Sequence, residues 1–176
     1  GIYAIILFRE KKLQKAKNIL EEKVKERTAE LQKQKEQITD SIQYASRIQA
    51  AIMPPEEYVG NILPEHFILY KPRDIVSGDF YWMTQKGDKV ILAAADCTGH
   101  GVPGAFLSML GITFLSEIVN KRQILEPDKI LIEMRKYVIA SLHQQRQKST
   151  TQDGMDMALV VWDKKTYAIE FSGAYN

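Results

Sequence analysis

The first third of the chain carries a hydrophobic pattern that is typical of a long helix. Residues 9–52 contain no Gly or Pro and are rich in Glu, Lys, Gln, Leu and Ala, all good helix formers. Apolar residues recur every seven positions along one seam, while the alternate seam is apolar only in part. The first seam holds Val24, Leu31, Ile38, Ala45 and Ile52, and the second holds Leu13, Leu20 and Ile48 interrupted by Arg27, Gln34 and Ser41. The pattern predicts a coiled coil over residues 9–53, either a rod that transmits a signal or a marginal dimer.

The pattern changes after Met53-Pro54-Pro55, where proline excludes the helical conformation of the preceding residue and lacks an N–H. Short apolar runs bounded by turn residues then predict strands, with Gly87-Asp88 as a hairpin turn. The predicted strands are 67–70, 76–84, 89–95, 155–162 and 167–172; the predicted helices are 102–120 and 127–145, followed by a polar loop at 144–153. This order indicates an α+β domain over 55–176, with antiparallel strands and helices packed outside.

The two ends of the chain indicate a piece of a longer protein. Residues 1–8 are nearly all apolar but too few to span a bilayer, which needs about 20 residues. Arg9-Glu10-Lys11-Lys12 follows at once, as at the cytoplasmic end of a transmembrane helix. The alternative is an apolar stub that packs on the domain. At the other end the last strand stops with no closing element, so we also expect a C-terminal truncation.

Charge and cysteine content narrow the function classes. The net charge is +2, but residues 9–39 hold ten Lys/Arg against six Glu, so the remainder is slightly acidic. No basic face with interleaved aromatic residues is present there, which argues against nucleic acid as a partner. The single cysteine, Cys97, excludes an internal disulfide framework and fits a reducing compartment.

Two aspartates flanked by glycines are the candidate chemistry. Asp79 follows Gly78 at the edge of one predicted strand. Asp96 ends the apolar run 90–95, whose composition predicts a central, doubly buried strand. A partly buried carboxylate there is costly unless it is paired or binds a metal, and oxygen ligands favour Mg²⁺ or Mn²⁺ over zinc. A pair of Asx turns that only shape the loops is the alternative.

These residues lie in two strings, PRDIVSGDFYW and AAADCTGHGVPGAFLSMLG, which together resemble the metal-dependent serine/threonine phosphatases of the stage II sporulation protein E (SpoIIE) family, within the wider PPM class. The resemblance runs from about Ser41 to the end of the chain and includes SIQYASRIQAAIMPP, QDGMDMALVVWD and IEFSGAYN. It implies a PPM-like antiparallel β-sandwich flanked by helices. It also implies hydrolysis of phosphoserine or phosphothreonine on a regulatory protein, for which an anti-sigma-factor antagonist is one candidate.

The resemblance also implies roles for particular residues. Asp96 would bridge two Mn²⁺ or Mg²⁺ ions, the backbone carbonyl of Cys97 would ligate one of them, and Asp79 would complete the second metal shell. The family's remaining metal-binding aspartates come from segments nearer the C-terminus. We therefore expect this chain alone to bind metal weakly and to be inactive.

Four further residues are weaker candidates. Asp153 and Asp156 do not match the positions of the family's later ligands. Arg73 is close enough in sequence to Asp79 to reach a phosphate, although a surface salt bridge is at least as good an interpretation. His100 is not at the place of the histidine found in many eukaryotic-type relatives, where this chain has Thr98, so the general acid stays unassigned.

Together these features predict the output domain of a membrane-anchored bacterial signalling protein at the cytoplasmic face of the inner membrane, dimeric through the coiled coil. Two alternatives stay open. One is a non-catalytic module that binds a partner. The other is a histidine-kinase fragment, which the absence of any histidine between Gly1 and Glu65 disfavours.

Overall fold

The computed structural model describes residues 1–142 and 153–175, and they fall into two units, Gly1–Ser41 and Ile42–Asn176. Helix α1, Ile2–Ile52, runs through the first unit and into the second. The remaining elements are α2 (Glu56–Ile62), β1 (Phe80–Lys86), β2 (Lys89–Cys97), α3 (Gly101–Leu115), α4 (Pro127–Ser141), β3 (Met155–Asp163) and β4 (Ile169–Ala174). A π-helical segment, Ser116–Lys121, continues α3.

Within the first unit, α1 is a solvated helix whose apolar seam residues are exposed. Leu13 is 69% exposed, Leu31 64% and Ile38 61%. Charged pairs one turn apart, Lys17 with Glu21 and Arg27 with Glu30, lie along its surface. The predicted helix is confirmed, whereas its pairing with a second helix stays a prediction.

In the second unit the four strands form one antiparallel sheet in the order β1-β2-β3-β4. The turn at Gly87 and Asp88 joins β1 to β2, and Gly87 takes a positive φ of 58°, which glycine adopts without strain. The central position predicted for the strand around 89–95 is confirmed, because β2 pairs with both β1 and β3. The α+β class is confirmed as well; the second sheet that a sandwich needs is not found among the described residues.

Alternate side chains of the strands pack on opposite faces of the sheet. On one face, Phe80, Ile91, Leu159 and their neighbours join α3 and α4 in the main core. On the other face, a smaller cluster of Met83, Val90 and the α2 residues Val59 and Ile62 forms a second core. This alternation assigns every odd-numbered position of β2 to the α3/α4 face and every even-numbered position, including Asp96, to the α2 face.

Two sequence predictions about the second unit are wrong, and one helix was missed. Residues 67–70 form no strand, and Phe67 is 90% exposed, because no strand within residues 1–142 and 153–175 lies beside this segment to pair with it. The strand predicted to begin at Val76 begins at Phe80. The short helix α2 was not predicted, since seven residues carry too little periodicity to reveal it. The predicted loop 144–153 lies almost wholly outside the described residues.

One helical stretch, Gly101–Lys121, is long and apolar enough to cross a membrane by length and composition alone. More than half of it is buried inside the protein, and Leu115, Ile118 and Val119 have no exposed surface. Its apolar character is therefore accounted for by the core of the second unit.

Candidate metal centre

Sheet geometry places three aspartates in a row on the α2 face. Phe80 pairs with Ala95 in the β1–β2 register, so Asp79, one residue before β1, lies beside Asp96. Asp96 in turn pairs with Asp156 in the β2–β3 register. Residues directly opposite one another in antiparallel strands have Cβ atoms about 4.5–5.5 Å apart on the same face. The row therefore crosses three neighbouring chain segments, with Asp96 in the middle.

The row lies in a cavity of about 570 Å³. Asp79, Asp96 and Asp156 line it together with small residues of the strands, Ala94 and Ala158. The extended segment 68–71 forms another part of the wall. Asp96 is exposed to solvent rather than partly buried as expected from its apolar strand, because the alanines beside it leave the cavity open. A phosphorylated side chain has room to approach the carboxylates here.

Asp79 is electrostatically coupled to Asp96. Loss of hydration is the largest cause that raises the pKa of the Asp79 carboxyl above its usual value, followed by a hydrogen bond with the Asp96 carboxyl and by its negative charge. Like charges this close oppose each other, and a bound cation would relieve that repulsion. The electrostatics therefore fit a cation site.

Close glycine contacts bring the two aspartate-bearing segments together. A Cβ on Gly78 would lie 2.9 Å from the carbonyl oxygen of Gly99 and 3.1 Å from that of Cys97. A Cβ on Gly104 would lie 2.6 Å from the Gly99 oxygen and 3.0 Å from the Gly78 Cα. Only glycine fits at either position without a backbone shift. The carbonyls of Cys97 and Gly99 consequently lie against the residue that precedes Asp79.

The side chain of Cys97 has no part in this site. It is 3% exposed and packs in the core on the α3/α4 face. Burial, with a smaller effect of the negative charges of Asp96 and Asp79, raises the pKa of its thiol to about 12. A buried, protonated thiol is a poor nucleophile, so the contribution of Cys97 to the site is its backbone carbonyl.

The loop between β2 and α3 is held at its first residue, Thr98, by two hydrogen bonds. Thr98 donates its N–H to the Gly154 carbonyl at 2.9 Å and accepts the Gly154 N–H on its hydroxyl at 3.1 Å. Gly99 and Gly101 have positive φ values of 88° and 63°, which let the chain turn sharply into the helix. The conformation of the loop that carries the Cys97 and Gly99 carbonyls is thus tied to the start of β3.

The remaining candidates lie outside the cavity wall. His100 occupies the N-cap position of α3, and its Nδ1 lies 3.2 Å from a carboxylate oxygen of Asp74. Arg73 is exposed in the loop before β1, and Asp153 lies just before the Gly154 contact. None of the three lines the cavity. Asp156, in contrast, is brought into the row with Asp96.

The donors present suit a hard divalent cation. Carboxylate and carbonyl oxygens are the ligands that Mg²⁺ and Mn²⁺ take in proteins, and the close glycines leave those carbonyls accessible. Within residues 1–142 and 153–175, however, no group of three or more His, Cys, Asp or Glu side chains is arranged to hold a metal ion. The described part of the chain therefore brings together the Asp79 and Asp96 carboxylates, with backbone oxygens beside them.

Sequence reasoning undervalued Asp156 and missed a buried glutamine, Gln49. The position of Asp156 in the row depends on the β2–β3 register, and the two apolar strands alone do not reveal that register. Gln49 is 4% exposed and hydrogen-bonded to Ser77, two residues before Asp79. Gln49 lies on neither apolar seam of α1, so the heptad pattern does not reveal this contact; the only signal was its place in the segment SIQYASRIQAAIMPP.

No protein-family model matches the chain, and no curated protein sequence matches it. Among solved structures, the SiaA-PP2C domain of Pseudomonas aeruginosa is similar, with a TM-score of 0.69 and 36% sequence identity. The match covers 80% of this chain and 55% of that one, so the chain spans about half the length of the solved neighbour. Together with the antiparallel sheet and its helices, this similarity shows a PP2C-like fold.

Proposed function

We propose that this chain belongs to a metal-dependent protein phosphatase of the PPM class, which hydrolyses phosphoserine or phosphothreonine on a regulatory protein. The observation that carries the proposal is the placement of Asp79 and Asp96 side by side in an open cavity of a PP2C-like fold. The similarity to a PP2C domain supports a phosphatase, and the oxygen donors of the site support Mn²⁺ or Mg²⁺ as its cofactor.

Each residue of the site has a role in this proposal. Two bound ions would lower the pKa of a water molecule and neutralise charge on the phosphoryl oxygens. Asp96, at the centre of the row, would be shared between the two ions, and Asp79 and the Cys97 carbonyl would each contribute a further oxygen ligand. The open cavity admits the phosphorylated side chain, while the buried Cys97 thiol stays out of the reaction.

Further ligands would have to join the two carboxylates, and we propose that they come from parts of the protein outside the described residues, as in the SpoIIE-type phosphatases that the sequence resembles. The same parts would supply the second sheet of the predicted sandwich. The exposed apolar residues Ile169 and Phe171 on β4, at the edge of the sheet, support such a completion.

We also propose that the domain is the output of a bacterial signalling protein that is anchored in the inner membrane by a segment ending near Phe8 and is dimeric through α1. The apolar run 1–8, the lysines that follow it and the exposed apolar seams of α1 support this arrangement. The substrate is proposed to be a phosphorylated regulator such as an anti-sigma-factor antagonist, and nucleic acid is not proposed as a partner.

The test measures Mn²⁺-dependent hydrolysis of p-nitrophenyl phosphate and of a phosphoserine protein by the intact protein. We expect Asp96→Asn to lower the rate by at least about 100-fold, because even residues that only support metal ligands contribute 10–100-fold. Asp163→Asn is the matched control. Asp163 accepts the N–H groups of Lys165 and Thr166 in the β3–β4 turn, far from the cavity, and asparagine keeps that acceptor. Equal rates for wild type and Asp96→Asn would refute the assignment.

A further inference from the structure

Gln49 is a fully hydrogen-bonded polar side chain buried in the second unit. It lies three residues before the end of α1 and is 4% exposed. A buried amide is costly unless its donors and acceptor are all satisfied. Its Nε2 donates to the Ser77 carbonyl at 2.6 Å and to the Ser108 hydroxyl at 2.6 Å, and its Oε1 accepts the Ser77 N–H at 3.0 Å. Every hydrogen-bonding group of this amide is therefore used.

The two bonds to Ser77 fix a backbone segment rather than a side chain. The Gln49 amide donates to the carbonyl and accepts from the N–H of the same residue, as a neighbouring strand would. Two simultaneous bonds between planar amide groups define orientation as well as distance. The residues before β1 have no ladder partner of their own, since β1 begins only at Phe80. Gln49 replaces that missing partner.

The fixed segment leads directly to Asp79. The Asp79 N–H donates to the Ser77 hydroxyl at 3.0 Å, and Gly78 between them packs on the carbonyls of Cys97 and Gly99. The Ser108 hydroxyl, which has no exposed surface, accepts a hydrogen bond from the Gln49 Nε2 at 2.6 Å and lies 3.2 Å from the Ser77 carbonyl, so α3 meets the same point. The position of the Asp79 carboxyl beside Asp96 thus depends on a network centred on Gln49.

We propose that Gln49 is a positioning residue for the candidate metal centre: it holds the Ser77–Asp79 backbone so that the Asp79 carboxyl faces Asp96. This inference rests on the proposed function for its consequence in catalysis, but the hydrogen-bond network exists independently of it. Gln49 contacts neither the cavity nor a ligand; it acts through Ser77.

The geometry makes this arrangement sensitive to the position of α1. One residue of helix corresponds to a rise of 1.5 Å, whereas a hydrogen bond of 2.6–3.0 Å is lost well before it lengthens by that amount. A displacement of about 1 Å at a catalytic group can cost about 100-fold in rate. A small movement of the last turns of α1 would consequently disturb the metal centre through this one side chain.

The test compares Gln49→Leu, which keeps the size of the side chain but removes its polar groups, with Thr84→Val as a matched control. Thr84 is also buried, and its hydroxyl bonds to Asn120 Oδ1 at 3.2 Å near the far end of β1. Both variants lose buried hydrogen bonds within the same unit, but only Gln49→Leu releases Ser77. A third variant, Gln49→Glu, keeps the acceptor for the Ser77 N–H and loses the donors.

Two readouts are made on the intact protein. The first is amide hydrogen exchange of Ser77 and Asp79 in EDTA, which needs no metal and no activity. We expect protection of these amides to fall at least about tenfold in Gln49→Leu and to stay unchanged in Thr84→Val. The second is the Mn²⁺ concentration that gives half-maximal stabilisation in thermal melts. We expect it to rise about tenfold or more in Gln49→Leu, with a smaller rise in Gln49→Glu and none in Thr84→Val.

The outcomes separate this inference from the proposed function. Unchanged exchange at Ser77 and Asp79 in Gln49→Leu would overturn the positioning role whatever the protein catalyses. Loss of protection together with wild-type Mn²⁺ dependence would show that Gln49 supports structure only, and would also overturn it. If the wild type itself neither binds Mn²⁺ nor hydrolyses phosphate esters, the proposed function fails. The exchange result still shows whether Gln49 holds the Ser77–Asp79 backbone. If Gln49→Leu is unfolded, the same two readouts on Gln49→Glu decide whether Gln49 has the positioning role.

Discussion

A single methyl group at Gly104 should damage the candidate metal centre. Gly104 is the fourth residue of α3, and a Cβ there would lie 2.6 Å from the Gly99 oxygen, where an ordinary contact needs at least 3.4 Å. Both close neighbours, Gly99 and Gly78, present backbone atoms. The backbone between β2 and α3 must therefore move by about 0.8 Å to admit alanine.

The effect on stability follows from two opposing contributions. Overpacking of this kind costs about 1–3 kcal/mol, while Gly→Ala inside a helix recovers about 0.5–1 kcal/mol. The net loss of up to about 2.5 kcal/mol lowers Tm by up to about 10 °C in a protein of this size. The same shift moves the Cys97 and Gly99 carbonyls, so we expect the Mn²⁺ concentration for half-maximal stabilisation to rise at least about tenfold.

The assay is thermal unfolding of the intact protein in EDTA and across a Mn²⁺ titration. Gly60→Ala in α2 is the matched control, because its Cβ would meet only the His66 ring, at an ordinary 3.8 Å. Helix propensity alone then predicts that Gly60→Ala raises Tm by about 1–4 °C and leaves the Mn²⁺ response unchanged. Wild-type stability and Mn²⁺ response in Gly104→Ala would refute the close packing of Gly78, Gly99 and Gly104.

Three other measurements examine the charges, the thiol and the helix. The pKa of Asp79 is raised in the folded protein, so the protonated carboxyl favours the folded state at low pH, and this contribution is lost as pH rises through the folded pKa. In EDTA, Asp79→Asn should therefore gain stability over wild type from about pH 4 upward. A difference in Tm that stays constant with pH would contradict this. Cys97 should react with a thiol reagent at pH 8 only on unfolding, since its pKa is about 12, and rapid labelling of the native protein would contradict it. Cysteines placed singly at Val24 and Leu31 should form crosslinked dimers, whereas one at Lys25, off both seams, should not; the absence of any dimer would refute the coiled coil.

The elements that a local pattern determines were predictable from the sequence. Helix α1 follows from a long run of helix-forming residues without Gly or Pro, and α4 from an apolar stripe whose Ile130, Met134 and Val138 are all buried. The segment 67–70 has the composition of a strand but no pairing partner, and a local pattern carries no information about partners. The sheet register, which decides whether Asp156 faces Asp96, is non-local for the same reason.

The two aspartates were recognisable from the sequence because glycines at fixed offsets accompany them. Gly78 and Gly104 mark the close approach of two backbones, although the sequence does not show that they touch each other. The burial of Gln49 was not predictable from its own helix, where it occupies neither seam. Its role depends on Ser77 and Ser108, which are 28 and 59 residues away in the chain.

Asp79 is not held in place by the strand that follows it. Because β1 begins at Phe80, the ladder between β1 and β2 stops one residue short of the aspartate, and its orientation depends on contacts before the strand. Two of those contacts matter for the carboxylate pair: the glycine packing fixes how closely Gly78 approaches the loop after Asp96, and the Gln49 amide fixes the orientation of Ser77. A carboxylate whose position depends on a helix outside the sheet can be moved without unfolding the sheet. In the candidate metal centre that we propose, such an arrangement would let the last turns of α1 adjust the position of Asp79, which a ligand in the middle of a strand would not allow.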